Sequence, residues 1–522
     1  MKAISLFNDV LGPVMRGPSS SHTAAPFQIG AMARALLGGE PAAASFTFDP
    51  GGSFAQVYRQ QGSDRGFAAG ILGWSLTDER FPRALELAPA EGLDLAFRVA
   101  PLPEADHPNT VAIHLRAGDG RRLDLVANSI GGGAFVFTRV GGWPVQLTGD
   151  GYELLVELAS GAEEAARALL AGPAARLERP GEGEKVLLHA RRLRPPPPET
   201  APRLADLPGV SAVWAAPPVF FPLRGLEGEP DDVPLFSSGA GMLAYAEAQD
   251  CSLGEAALAY EAALLGLPPA EILAETQRRY GVMRAAVERG LGAGLPPMQL
   301  LRPSAGRIMQ AEREGRLATG GLHTRAAARA MAVMHVNGGM GVVCAAPTAG
   351  SAGTLPGVVV TLADELGLEE PEIARALLAA SGVGLVVAQR ATFAAEVAGC
   401  QVEIGAAGAM AAAAVVEAAG GSPRQAADAA AIAFQNTMGS VCDLVQGIVE
   451  IPCHTRNAAA AANAFLCADL ILGGYENPIP LDETVDAVYA VGRMLPCELK
   501  VTALGGLALA PSARALPRLH LG

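Results

Sequence analysis

The sequence of 522 residues predicts a multidomain α+β chain, two mixed units followed by a large all-α domain. Three observations carry this. The length suits two to four domains and leaves room for large cores. Apolar–polar alternation, the period of a half-buried strand, recurs through the first part of the chain and is nearly absent after Met242. Half of the residues are hydrophobic but only 5% are aromatic, so Ala, Leu and Val must do most of the packing, as in closely packed helices.

Residues 1–145 form the first unit. A helix is expected from near Ser21 or Thr23 through Leu37, stopped by Gly38-Gly39. Alternation predicts strands over 45–48, 93–99, 110–116 and 134–140, with Gly131-Gly132-Gly133 turning the chain between two of them.

The second unit, 146–222, reads as strand 152–158, helix 162–170, strands 175–178 and 185–191, a helix near 199–206 and strand 211–215. Pro180-Gly181-Glu182-Gly183 separates the middle strands, and Pro195 to Pro198 makes a stiff connector. The βαββαβ order is the ferredoxin-like arrangement, often a small-molecule regulatory module. Residues 223–235, rich in Gly, Pro and acidic groups, read as a linker, and 236–522 as the all-α domain.

Composition narrows the function. A net charge of −14 without a basic stripe argues against a nucleic-acid partner. The N-terminal apolar run is too short for a secretory signal. The most apolar stretch, 381–420, is broken by Arg390, Glu396, Glu403 and Glu417, and reads as buried helices and not as a membrane span. Seven cysteines, an odd number, fit a reducing cytoplasm better than a disulfide framework. The only lysines are Lys2, Lys185 and Lys500. A pyridoxal-phosphate enzyme needs a Schiff-base lysine in its core, and Lys500 lacks the accompanying phosphate loop.

The chemistry-bearing segments are few. Cys400, Cys442 and Cys453 do not form a short CxxC pair, so any shared metal must be assembled by the fold. Three thiolates leave a four-iron cluster with one uncommitted, Lewis-acidic iron. Three buried structural thiols are the alternative. Gly17-Pro18-Ser19-Ser20-Ser21-His22-Thr23 places hydroxyls at a helix start, where a carboxylate binds well, and His22 there can transfer protons. A plain helix cap with a surface histidine fits the same residues. His107-Pro108-Asn109-Thr110 reads as a turn into a strand. Pro347-Thr348-Ala349-Gly350-Ser351-Ala352-Gly353 is a small-residue loop whose backbone can approach a ligand, or simply a turn between helices. Arg456 can pair with a substrate carboxylate or neutralise a thiolate-bound cluster. Lys500 can supply a proton, hold an anion or end a helix in solvent. Cys344 is expected to pack, and Cys251, Cys467 and Cys497 to sit in apolar cores.

Taken together these segments resemble the bacterial iron–sulfur L-serine dehydratases. Gly12-Pro13-Val14-Met15-Arg16 through Ala24, Ser53-Phe54-Ala55, His107–Thr110 and Ser129–Gly133 match the family's β part. The Pro347–Gly353 loop, Gly399-Cys400-Gln401-Val402-Glu403, Val441-Cys442-Asp443, Glu450-Ile451-Pro452-Cys453, Arg456-Asn457 and Gly505-Gly506-Leu507-Ala508 match the α part. In some members the parts are separate; here they are fused, β first. The resemblance implies a [4Fe–4S] cluster on Cys400, Cys442 and Cys453 and deamination of L-serine to pyruvate and ammonia. With that chemistry His22 is the expected proton-transfer or substrate-orienting group, and Lys500, read from the residues alone, is the second catalytic candidate. Ser19, Ser20, Ser21, Thr23, Thr348, Ala349, Gly350, Ser351, Arg456 and Asn457 would bind the amino-acid substrate. A cytoplasmic homodimer is expected by the same analogy.

The chain also departs from the family pattern. Gln60-Gln61-Gly62-Ser63-Asp64 stands where Gly-His-Gly-Thr-Asp is common, Leu444 replaces a proline, and Lys500-Val501-Thr502 replaces Arg-Glu-Thr. The middle unit resembles a degenerate ACT domain without the Asp-x-x-Gly turn, and the tail Pro517–Gly522 lacks a terminal cysteine. A related lyase acting on cysteine or threonine, or a non-catalytic amino-acid sensor, are the rival readings. A zinc hydrolase is disfavoured by the lack of an HExxH pair.

Overall fold

Small residues decide how the C-terminal half packs. In the computed structural model, which describes residues 3–170, 176–178, 184–226 and 234–519, the helix Ile404–Ala418 is buried from Ile404 to Val416. It is wrapped by Glu370–Arg390, Pro423–Gln435 and Cys453–Leu472. Alanines on these helices let the axes approach closely, so many shallow contacts replace the few deep ones an aromatic core would make. Glu370–Arg390 and the stretch Cys400–Ala418 are long and apolar enough to cross a membrane, but their most apolar windows are 78% and 89% buried inside the protein.

The N-terminal unit carries a six-stranded sheet in the order Asp94–Val99, Pro41–Phe48, Thr110–Ala117, Arg122–Gly131, Ala134–Val140, Trp143–Leu147. Only the first pair is parallel. Helices Ala25–Leu37 and Ser63–Ile71 cover the sheet through Phe46, Phe48, Phe54 and Phe67. The expected strands and the helix ending at Gly38 are present. Arg122–Gly131 and Trp143–Leu147 were not expected; alternation in the first is confined to Arg122–Leu125 before a continuous buried run, and Pro144 interrupts the second. Gly131, Gly132 and Gly133 turn the chain with φ of 98°, 64° and 96°.

The second unit has strands Tyr152–Ala159, Arg176–Glu178, Lys185–Arg192 and Val210–Ala216, with helices Glu163–Leu170 and Thr200–Ala205. Its antiparallel sheet has Val210–Ala216 and Tyr152–Ala159 followed by Lys185–Arg192 and Arg176–Glu178. One face of this sheet packs on the two helices; Leu155, Leu187 and Ala216 on the other join the core of the first unit. Ala175, the Pro180–Gly183 separator, residues 227–233 of the expected linker and the last three residues lie outside the described residues.

Two features tie the chain start to the helical domain, and neither has a local sequence signal. Ile4, Leu6, Phe7, Val10, Leu11 and Met15 belong to the helical core. Val14–Arg16 pairs antiparallel with Val342–Cys344, so the C-terminal region is not wholly free of strands. Gly17 continues this docking: a Cβ there would lie 2.2 Å from the Asn337 carbonyl oxygen, and Asn337 Nδ2 donates to the Pro18 carbonyl at 2.9 Å. The serine-rich segment is thereby fixed against the helical domain.

Candidate active site

Three loops of the helical domain bring the predicted thiols together. Cys400 follows Gly399, Cys442 lies in an extended segment and Cys453 opens the helix Cys453–Leu472. The three are 2–3% exposed and share one buried cluster. The Cys400 and Cys442 sulfurs and a Glu403 carboxylate oxygen lie within 4.8 Å of one another. A hydrogen bond from Cys442 holds the Cys400 thiol below its usual pKa, against burial and with help from Arg456. That same bond, burial and the charges of Cys400 and Glu403 push Cys442 well up. Burial and the same two charges push Cys453 up as well. Soft sulfur donors, one favoured as thiolate and two whose ionisation its charge opposes, with a carboxyl group at their edge, form a set that a soft metal centre satisfies. The residues present therefore fit an iron–sulfur group.

Arg456 serves this cluster. Its Nη1 donates to the Val441 carbonyl at 2.7 Å, and its Nη2 pairs with Asp443 Oδ1 at 3.0 Å. Burial opposes its charge, yet Cys400, Asp443 and Cys453 hold its pKa above the usual value. Of the two roles open in the sequence, charge compensation of the thiolates is the one these contacts support.

Asn457 is fully engaged elsewhere. Its Oδ1 accepts from Gly353 N, Thr354 N and Thr354 Oγ1 at 3.1, 3.0 and 2.9 Å. Its Nδ2 donates to the Gly350 and Cys453 carbonyls, both at 2.9 Å. It binds the Thr348–Gly353 loop to the Cys453 turn, and its amide is not free for substrate. Thr348 and Ser351 likewise cap each other, Oγ1 to Oγ at 3.1 Å, and Thr348 also bonds Glu403. Ala349 is buried in the helical core, which leaves Gly350 as the loop residue facing the cavity.

That cavity lies between the thiols and the serine-rich helix start, with Ser19, Ser21 and His22 on one wall and Cys442 and Cys453 on another. Ser19 Oγ accepts from His22 N at 3.1 Å, a side-chain cap. Thr23 Oγ1 donates to the Gln61 carbonyl at 2.6 Å, and neither Thr23 nor Ser20 lines the cavity. His22 is 1% exposed, its Nε2 lies 3.0 Å from Ser53 Oγ, and its ring meets Phe54 edge-on. Burial lowers its pKa to about 3, so it is a neutral imidazole. The plain surface histidine is thus replaced by a buried one aimed at the thiols' cavity.

Lys500 comes close in a different way from that expected. Cys442 N donates to the Leu499 carbonyl at 2.9 Å and Val501 N to the Cys442 carbonyl at 3.1 Å. The backbone around Lys500 therefore holds Cys442, and Val501, not Lys500, lines the cavity. Cys344 and Cys467 are buried as expected, whereas Cys497 is exposed because it begins a short turn after the helix Leu481–Met494 has ended.

Four lining or supporting residues escaped the sequence reading. Gln61 is 1% exposed and faces the cavity at the position where the family commonly has histidine. Glu396 and Glu403 line it too, and Asn109 of the His107–Thr110 turn donates to Glu396 Oε1 at 2.6 Å. The signal for both acids was their presence inside the most apolar stretch of the chain. A larger cleft of about 740 Å³ beside Tyr58, Asp64 and Leu95 holds none of the predicted residues.

The family model for the serine dehydratase alpha chain matches residues 238–508. The chain belongs to the serine dehydratase family. A probable L-serine dehydratase alpha chain of Bacillus subtilis is 41% identical over 252 residues, 48% of this chain and 84% of that protein. The corresponding probable beta chain of the same organism is 42% identical over 156 residues, 30% of this chain and 69% of its own. The L-serine dehydratase alpha chain of Peptoniphilus asaccharolyticus is 40% identical over 228 residues, 44% of this chain and 78% of that one. This serine dehydratase thus unites in one polypeptide what those proteins divide between two. It is an enzyme of the lyase class, and its thiol–carboxylate group suits a metal cofactor.

Proposed function

We propose that this chain is an L-serine dehydratase that converts L-serine to pyruvate and ammonia with a [4Fe–4S] cluster on Cys400, Cys442 and Cys453. The observation that carries the reading is the meeting of three buried thiols, contributed by three separate segments, with the His22 helix start across one cavity. A bound cluster would supply a Lewis-acidic iron that makes the β-hydroxyl a better leaving group. The Ser19–His22 turn would hold the substrate carboxylate through its hydroxyls and free N–H groups. His22, neutral and steadied by Ser53, would orient the substrate or exchange its α-proton. Loss of the α-proton and of hydroxide leaves aminoacrylate, which tautomerises to an imine and hydrolyses to pyruvate and ammonia. Arg456 would keep the thiolate charge compensated.

Residues 1–145 would act as the β part, 236–522 as the α part and 146–222 as a degenerate ACT-like module of ferredoxin-like order. A cytoplasmic homodimer is the setting in which we place the enzyme. Gln61, where the family commonly has histidine, favours one second reading: a related lyase preferring cysteine or threonine.

Pyruvate formation by protein reconstituted with iron and sulfide under anaerobiosis tests the proposal. Serine-dependent activity that is lost in air and in Cys442→Ser supports it. A cluster-loaded protein inert toward serine but active on threonine or cysteine would replace it with the second reading.

A further inference from the structure

Glu396 is a carboxylate without a counter-ion. It is 7% exposed and lines the cavity between the thiols and His22. Its partners are neutral: Asn109 Nδ2 at 2.6 Å, the Ser21 hydroxyl and its own backbone N–H. Its titratable neighbour is Glu403, a second carboxyl group on the same cavity, whose pKa burial and the charge of Cys400 push well up. Among the described residues no Lys or Arg lines this cavity. Arg456, the nearby cation, is committed to Asp443 and the Val441 carbonyl.

A second observation points the same way. Asn109 is fully buried, and while its Nδ2 serves Glu396, its Oδ1 has no hydrogen-bond partner among the described residues. A buried acceptor left unpaired costs free energy, as does a buried carboxylate left uncompensated. Glu396, which lines the cavity while Asn109 holds it from behind, is compensated by one small cation with several N–H donors. The α-ammonium of an amino acid is such a group, and it arrives on a molecule whose opposite end, a carboxylate, suits the Ser19–His22 turn.

We propose that Glu396 is the specificity-determining residue for the substrate's α-ammonium, with Asn109 as its positioning residue. The proposal rests on the amino-acid lyase reading and assigns the amine subsite within it. Glu396 discriminates 2-amino acids from 2-hydroxy acids of the same shape, because an α-hydroxyl cannot neutralise a buried carboxylate.

The test compares L-serine with L-glycerate, which carries a hydroxyl in place of the ammonium, on the reconstituted full-length enzyme. In the unaltered protein the KM for serine should lie far below the inhibition constant for glycerate. Glu396→Gln should raise the serine KM about ten-fold or more while leaving glycerate inhibition within about two-fold, so that the preference collapses. Glu396→Asp keeps the charge and should retain the preference with weaker binding; it also serves if the Gln variant does not fold. Parallel weakening of both ligands in Glu396→Gln, or an unchanged serine KM, overturns the proposal, since the first marks a merely structural role. If the unaltered protein forms no pyruvate from serine, the lyase reading fails on its own, and calorimetric binding of the same two ligands decides the subsite. Preference for the ammonium ligand that is lost in Glu396→Gln supports the assignment, and no preference in the unaltered protein overturns it.

Discussion

The Nδ1 atoms of His335 and His454 lie 3.2 Å apart in the core behind Cys453. His335 Nε2 accepts from the backbone N–H groups of Ser304 and Ala305 at 3.0 and 3.2 Å, so it carries no proton. A neutral imidazole must then be protonated at Nδ1 and donate to His454. Burial keeps His335 neutral, its pKa lowered to about 4. One ring thereby links the start of the helix Ala305–Arg313 to the residue after Cys453.

Replacing His335 by alanine removes an acceptor from two helix-start donors and leaves a void among buried groups. We expect a loss of about 2–4 kcal/mol in unfolding free energy, measured by denaturant titration, and a lower iron content after reconstitution. Unchanged stability would mean that solvent replaces the ring without cost.

His22 sets a pH dependence of known sign. Its folded pKa, about 3, lies below the unfolded value of 6.5. The unfolded chain therefore takes up a proton first as pH falls. The stability associated with neutral His22 is complete above pH 6.5 and declines as pH drops from there toward 3, by about 1.4 kcal/mol per pH unit at most. His22→Gln should flatten the stability profile over that window relative to the unaltered protein. Parallel profiles would contradict the neutral, buried state.

Much of this architecture was legible because its signals are local. The helix Ala25–Leu37 announced itself by its apolar face and Gly38, and Thr110–Ala117 by its alternation. The thiols were legible through the segments that surround them. Glu396 and Asn109 were not, because an acid in an apolar stretch and an asparagine in a turn acquire a role only when the two units meet. Val342–Cys344 was missed for the same reason: its partner strand lies at the other end of the chain. Asn457 was given to the substrate and Arg456 left open between substrate and thiolates, since sequence order does not reveal that the Asn457 amide is spent or that Arg456 pairs with Asp443.

Gly399 offers a backbone test of the thiol site. Its φ of 78° and ψ of −177° lie in a region that essentially only glycine occupies. An added Cβ would also sit 2.7 Å from Leu495 and 2.9 Å from the Ser440 carbonyl oxygen. Gly399→Ala should cost about 2–4 kcal/mol and displace Cys400. Iron bound per chain after reconstitution should fall in step with the loss of stability in thermal unfolding. Normal iron loading in this variant would show that the Cys400 turn tolerates a different path.

Asn457 allows the loop and the thiol turn to be separated experimentally. Its acceptor side holds Gly353 and Thr354, and its donor side holds the carbonyls of Gly350 and Cys453. Asn457→Asp preserves the acceptors but turns a second carboxylate oxygen toward two carbonyls, whereas Asn457→Ala abandons both sides. Because every one of these partners is buried or half-buried, the charge in the aspartate variant cannot be solvated cheaply. We expect Asn457→Ala to lose about 2–4 kcal/mol, and Asn457→Asp to lose more at neutral pH. The aspartate variant should regain stability as pH falls and its carboxyl protonates, because a raised folded pKa makes the folded chain the stronger proton binder. Denaturation midpoints at pH 7.5 and 5.5 separate the cases. If the two variants fall equally at both pH values, the acceptor that Asn457→Asp retains contributes nothing beyond the lost donors, and the buried aspartate carries no charge penalty.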